Sequence, residues 1–159
     1  MNTTKPAIMS TQEWFRRAMP SPNRKNFHVQ LGVHVEEFSE MLGTVDGADS
    51  ASAKLITDAL DAAKALATGL KTGAVQISDV NWVEFFDGVM DQRVTGIGLA
   101  YIIGADVDGG IDEVDSSNES KYVDGQPIWD ANGKIAKGPN YRRANLLPYL
   151  PATITILDK

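Results

Sequence analysis

NFHVQLGVHVEEFSEMLG, residues 26–43, decides the fold. Phe27, Leu31, Val35, Phe38 and Leu42 recur at steps of three and four, which lays one apolar stripe along an α-helix. At ~100° per residue, Glu36, Glu37 and Glu40 fall in a single sector beside that stripe, and Gln30 and His34 border it. The pattern predicts a helix of a bundle whose carboxylates face either water or a cation.

Working outward, the neighbouring segments also read as helices. Ser10-Thr11-Gln12-Glu13 has the form of a capping box and predicts a first helix through Trp14 and Phe15 that stops before Pro20. Trp14, Phe15 and Phe27 read as core. An alanine-rich third helix is expected after Asp49 or Ser50, ending near Gly69, with Leu55, Ala59, Ala62 and Leu66 buried. A fourth should run from residue 79 to about 104, capped by Ser78 or Asp79. A Gly109-Gly110 turn then leads to a fifth, shorter helix. From Tyr122 onward, Asp124-Gly125, Asn132-Gly133 and Gly138-Pro139 break the chain into short runs, with a hairpin expected around Asn132-Gly133. The alternation Thr153-Ile154-Thr155-Ile156-Leu157 suggests a closing strand. The expectation is an all-α chain of four or five helices, a helical core over about 10–121 and a non-helical tail over about 122–159, in one domain.

Composition narrows the function. The 159 residues include no cysteine, which removes disulfides, thiolate metal sites and cysteine nucleophiles. A formal net charge of -6 argues against a surface built to grip nucleic acid. Residues 1–10 do not read as a secretory signal, and residues 94–105, the most lipid-like stretch, fall far short of the ~20 needed to span a bilayer. A soluble, cytoplasmic protein is the expectation.

In the fourth segment Glu84, Asp87 and Asp91 line up at i, i+3 and i+7 among Trp82, Val83, Phe85, Phe86, Val89, Met90 and Val94. A helix so apolar is expected to be buried. Buried carboxylates then call for a cation, and an oxygen-only donor set suits magnesium or manganese. Gly88 beside this line predicts a close approach by a helix or a ligand.

Glu36-Glu37-x-x-Glu40 followed by Glu84-x-x-Asp87 resembles the paired acidic signature of the all-α NTP pyrophosphohydrolases, which include MazG-like proteins, dimeric dUTPases and phosphoribosyl-ATP pyrophosphohydrolases. The tail adds to it: Asn118-Glu119-Ser120-Lys121, Asp124-Gly125-Gln126-Pro127-Ile128 and the run from Asn132 through Gly138-Pro139-Asn140-Tyr141 look like the ending of a phosphoribosyl-ATP-pyrophosphohydrolase-like subgroup common in phages and bacteria. The similarity covers roughly residues 27–146. Two registers fit the second motif, Glu84 with Asp87 or Asp87 with Asp91, and in the latter Gly88 stands where relatives often carry glutamate. The gap between the acidic segments is also longer than in compact members.

The resemblance implies magnesium-dependent cleavage of a nucleoside or deoxynucleoside triphosphate into monophosphate and pyrophosphate. It implies Glu37, Glu40, Asp87 and Asp91 as metal ligands, with Glu84 as the alternative. Glu36 would accept a proton from the attacking water or hold a second ion, beside Glu37. Lys121, Lys134 and Lys137 carry the right charge for the β- and γ-phosphates; Asn118 and Tyr141 join them, and Gln30 and His34 border the site toward base and ribose. Family members usually pair subunits, so a homo-dimer or homo-tetramer is expected. The main rival is a nucleotide-binding protein on the same scaffold without turnover. Asp106-Val107-Asp108-Gly109 is not a calcium loop, because its first ligand position falls on Gly104.

Overall fold

The computed structural model describes residues 7–154 and residue 156. Among them the chain is all-helical, as expected. Its five α-helices are α1 (Ala7–Ala18), α2 (Arg24–Leu42), α3 (Ser50–Thr72), α4 (Trp82–Ile102) and α5 (Val107–Glu119), followed by a 3-10 turn at Leu147–Tyr149. Strand-like pairing among the described residues is limited to two isolated antiparallel bridges, Val123 with Gln126 and Trp129 with Ile135. The residues group into two compact units. One holds 21–78 with 129–135; the other holds the described residues before 21, residues 79–128 and those from 136 onward.

The first unit is an antiparallel pair, α2 on α3. Asn23 caps α2: its side chain accepts from the Asn26 amide at 3.1 Å while the Asn26 side chain accepts from the Asn23 amide at 3.0 Å. The seam runs through Val29, Gly32 and Ser39 of α2 and Ala67 and Leu70 of α3 rather than the predicted stripe. A Cβ on Gly32 would stand 2.7 Å from Lys71 Cγ and 2.9 Å from the Ala67 carbonyl oxygen, so glycine lets the two backbones close up. His28, Val29, Gly32 and Ser39 are therefore the buried residues of α2, and Phe38 is left 51 % exposed. On α3 the buried side is turned by about one residue from the predicted edge. Ala67 and Leu70 are buried, whereas Leu55, Ala59, Ala62 and Leu66 face outward. The helix also outruns its expected end. Gly69 lies inside α3, where Val75 folds back onto it, and the left-handed cap is Gly73, with φ of 80°.

In the second unit α1 begins at Ala7, so Ser10 and Glu13 lie inside the helix rather than at its cap. Trp14 and Ala18 are buried together with Tyr122. The Trp14 and Tyr122 rings stack at 5.6 Å, the Tyr122 hydroxyl donates to the Trp14 carbonyl at 2.7 Å, and Trp14 Nε1 donates to the Asn118 carbonyl at 3.1 Å. These bonds satisfy the polar ends of large rings that would otherwise be costly to bury. Arg17 closes the contact from outside through an ion pair with Glu119.

Helix α4 is capped by Asn81, three residues after Ser78, and none of its residues is buried. Its expected burial is thus overturned: Trp82, Val83, Phe86 and Tyr101 each expose more than 60 % of their surface. Helix α5 starts at Val107 under the Asp106 cap, with Gly109 and Gly110 in its first turn instead of before it. Tyr149 explains one of these glycines, because a Cβ on Gly109 would stand 2.5 Å from its ring.

The tail folds through turns. Asp124 and Gly125 have φ of 50° and 74°, and Val123 and Gln126 exchange two bonds of 2.9 Å around them. Around Asn132-Gly133 the expected reversal is present, with Gly133 at φ of 87° and the Asp130 amide donating to the Lys134 carbonyl at 2.9 Å. The strand expected at the C-terminus is not formed at Thr153 and Ile154; Thr155 and Leu157 lie outside the described residues. No single helix among the described residues is long and apolar enough to cross a membrane.

Candidate functional site

Glu36 is the most engaged of the sequence-selected acids. It sits on the side of α2 that faces α3, three residues before Ser39, and is half-buried. One carboxylate oxygen accepts from Lys71 at 2.5 Å and the other from Lys134 at 2.6 Å. Burial alone would push its pKa up; the hydrogen bonds from Lys134 and Lys71 outweigh that and hold it below the usual glutamate value. Lys134 arrives there on the Asp130–Lys134 turn, where Asp130 Oδ1 accepts from the Asn132 and Lys134 amides at 2.9 Å each. A lysine from the tail thus reaches the acidic sector of α2, across 98 positions of sequence.

Glu37 and Glu40 lie one turn apart on the same helix, both exposed. On α4, Glu84, Asp87 and Asp91 are exposed as well. Glu84 falls in the first turn, where the Asn81 side chain accepts from its amide and where a negative charge complements the helix dipole. These exposed acids need no metal to offset desolvation, so that part of the sequence argument falls. They share another property. None of Glu37, Glu40, Glu84, Asp87 and Asp91 has a cationic partner among the described residues. Ion pairs among the described residues hold Glu36 with two lysines, Asp58 with Lys54, Glu113 with Arg142 and Glu119 with Arg17.

Among the described residues no three His, Asp or Glu side chains gather as a ready-made metal cage. Magnesium does not require one. It is usually held by one or two carboxylates, several waters and substrate phosphates. Glu37 with Glu40, and Asp87 with Asp91, are pairs at i, i+3 and i, i+4 on exposed helix faces, and their hard oxygen donors fit that mode.

The remaining selected residues divide between the units. Asn118 and Lys121 stand together, with Lys121 Nζ donating to Asn118 Oδ1 at 2.7 Å and lying 5.7 Å from the Trp14 ring centre. Lys137 lies 4.8 Å from the Tyr141 ring centre. The tail is docked beside them: a Cβ on Gly138 would stand 2.9 Å from the Lys121 carbonyl oxygen. The close approach at Gly138 is therefore to protein backbone. Ser117 Oγ donates to the Arg142 carbonyl at 2.8 Å, and the Arg142 amide donates back to Ser120 Oγ at 2.9 Å. Arg142 also draws the Glu113 carboxyl below its usual pKa, helped by the Asn145 amide. Gln30 and His34 are exposed on α2. Gly88 has nothing within 4 Å of a Cβ placed on it, so no close helix contact explains that glycine.

Sequence reasoning missed Lys71, because its tie to Glu36 depends on how α3 crosses α2. It also missed Arg24, Lys25 and His28. A visible signal existed: the first turn of α2 carries Arg24 and Lys25 and no acid, which is against the helix dipole.

The chain matches no protein-family model, no curated protein and no solved structure.

Proposed function

We propose that this chain is a metal-dependent nucleoside triphosphate pyrophosphohydrolase. The observation that supports the proposal is that the five sequence-selected carboxylates Glu37, Glu40, Glu84, Asp87 and Asp91 lie exposed on helix faces with no cationic partner among the described residues, open to a cation. Water adds to the α-phosphorus, the bond from that phosphorus to its bridging oxygen breaks, and the electron pair leaves with pyrophosphate. In this reading Glu37 with Glu40, and Asp87 with Asp91 or in the other register with Glu84, would each hold magnesium. Bound magnesium would neutralise phosphate charge and acidify the attacking water. The chain itself contributes positioning and charge. Lys121, Lys134 and Lys137 would supply charge for the β- and γ-phosphates, Asn118 and Tyr141 would support them, and Gln30 and His34 would serve the nucleoside. Glu36 is a carboxylate at neutral pH and able to take a proton once Lys134 turns to phosphate. A homo-dimer or homo-tetramer belongs to the same proposal, and the exposed apolar residues of α4 are consistent with it.

A second reading is favoured by one observation. Both oxygens of Glu36 are held by lysines, as in a protein that binds nucleotide without hydrolysing it. Incubating the chain with a panel of nucleoside and deoxynucleoside triphosphates and phosphoribosyl-ATP, with magnesium or with a chelator, separates the two. Magnesium-dependent release of pyrophosphate is expected; tight binding without products would favour the second.

A further inference from the structure

At one end of the α2–α3 pair lies an open pocket of about 340 Å³, lined by Arg24, Lys25, His28, Lys71, Thr72 and Gln76 among others. Its volume is at the lower edge of small-ligand sites, roughly 300–1,000 Å³. No carboxylate lines it. Arg24, Lys25 and Lys71 line it and Lys134 stands behind Lys71 on Glu36, so four cations meet one carboxylate in a chain of net charge -6.

Part of what could oppose an anion here is already engaged. The last turns of α3 would present carbonyl oxygens, but Gly69 accepts from the Val75 amide, Leu70 from the Gly73 amide and Gly73 from the Gln76 side chain. On the neighbouring turn, Asp130 Oδ1 accepts from the Asn132 and Lys134 amides, and Asp130 is not in the pocket lining. The donors are left over. Asn23 and Asn26 satisfy two amides of the first turn of α2, and those of Arg24 and Lys25 have no partner among the described residues. Arg24 gives one N–H to the Ile77 carbonyl at 2.6 Å and keeps the rest of its fork. Lys25 makes no ion pair with the described residues, and its Cε and Nζ lie 3.5 Å and 3.7 Å from where a Cβ on Gly133 would be. The ammonium of Lys25 thus lies near the turn without a carboxylate partner among the described residues.

His28 supplies the deciding detail. It is only 6 % exposed, yet it lines the pocket. Its Nε2 accepts from the Ile77 amide at 3.4 Å, which puts the proton of the neutral ring on Nδ1. Nδ1 has no partner among the described residues and is not one of the fully buried unsatisfied atoms. His28 is thus a buried ring with one nitrogen unpartnered among the described residues, in a lining it shares with the cations Arg24 and Lys25.

We propose that this pocket binds an oligophosphate, either free pyrophosphate or the phosphate tail of a nucleotide. Cations and hydrogen-bond donors share a lining that includes no carboxylate, which is the recognition chemistry of a multiply charged phosphate. The proposal does not depend on hydrolysis, and none of the residues assigned above to metal binding lines the pocket.

Calorimetric titration of the full chain in a metal chelator tests it, with sodium pyrophosphate, adenosine triphosphate and adenosine as probes. Pyrophosphate and the triphosphate should bind saturably and adenosine should not. Lys25→Glu and the double change Arg24→Gln with Lys25→Gln should each weaken binding at least about tenfold, and Glu37→Gln should leave it unchanged. Both residues are exposed, so circular dichroism of the variants should match the parent. The His28 ring resonances should move on titration in the parent. Comparable affinities for pyrophosphate and triphosphate identify the free anion as sufficient; a much tighter triphosphate, still sensitive to Lys25→Glu, identifies the nucleotide tail. Absence of saturable binding of either, or equal affinity in the Lys25→Glu variant with no His28 shift, overturns the proposal. So does loss of binding in Glu37→Gln alone.

Discussion

Lys134 Nζ lies 2.6 Å from one oxygen of Glu36, and Lys71 holds the other at 2.5 Å. The contact fastens the tail turn to the acidic helix and keeps Glu36 ionised. Because its folded pKa is depressed, its contribution to stability is fully present above the ordinary carboxylate value of about 4.3 and is lost as pH falls through the folded value. Urea unfolding between neutral and acid pH should therefore show a steeper loss in the parent than in Glu36→Gln. Parallel curves would mean that the pairing adds nothing to the fold.

Two glycines should respond in opposite ways to alanine. At Gly32 a methyl meets the Ala67 carbonyl and Lys71, so Gly32→Ala should destabilise by about 1–3 kcal/mol despite better helix propensity. At Gly88 nothing is met, and Gly88→Ala should stabilise by about 0.5–1 kcal/mol. Chemical denaturation midpoints report both; a stabilised Gly32→Ala would show that the α2–α3 seam is wider than described.

Leu70 is the largest fully buried side chain of the first unit. Truncation to alanine should cost about 2–5 kcal/mol, whereas Leu55→Ala, on the outward face of α3, should cost little. Thermal melts of the pair would expose an error in the rotation of α3 as a reversal of that order.

Turnover variants address the register on α4. Asp87→Asn should be severe in either register, and only one of Glu84→Gln and Asp91→Asn should be tolerated. Manganese binding followed by electron paramagnetic resonance should weaken in the same variants. A fully active Asp87→Asn contradicts both registers.

Helix number and order were legible in the sequence because periodicity and capping are local. What failed was also local in origin. Periodicity makes the stripe through Phe27, Leu31, Val35, Phe38 and Leu42 the expected packing face, but small residues at Gly32 and Ser39 let α3 come closer on another side. Gly69 and Gly109 have the spacing of helix punctuation, yet at each Val75 or Tyr149 occupies the place of a side chain. Nothing local separates the two uses. The acids were legible as candidates and their exposure was not, since composition alone made α4 look like core. The Glu36–Lys134 pair was half legible: both residues stood out, but their meeting depends on a turn that brings distant sequence together.

Phosphorus NMR of the products formed in ¹⁸O-labelled water, with magnesium present, tests the assignment most directly. Attack at the α-phosphorus is expected to place the label in the nucleoside monophosphate and leave pyrophosphate unlabelled. Label in pyrophosphate or inorganic phosphate, or no product at saturating magnesium across the nucleotide panel, would contradict it.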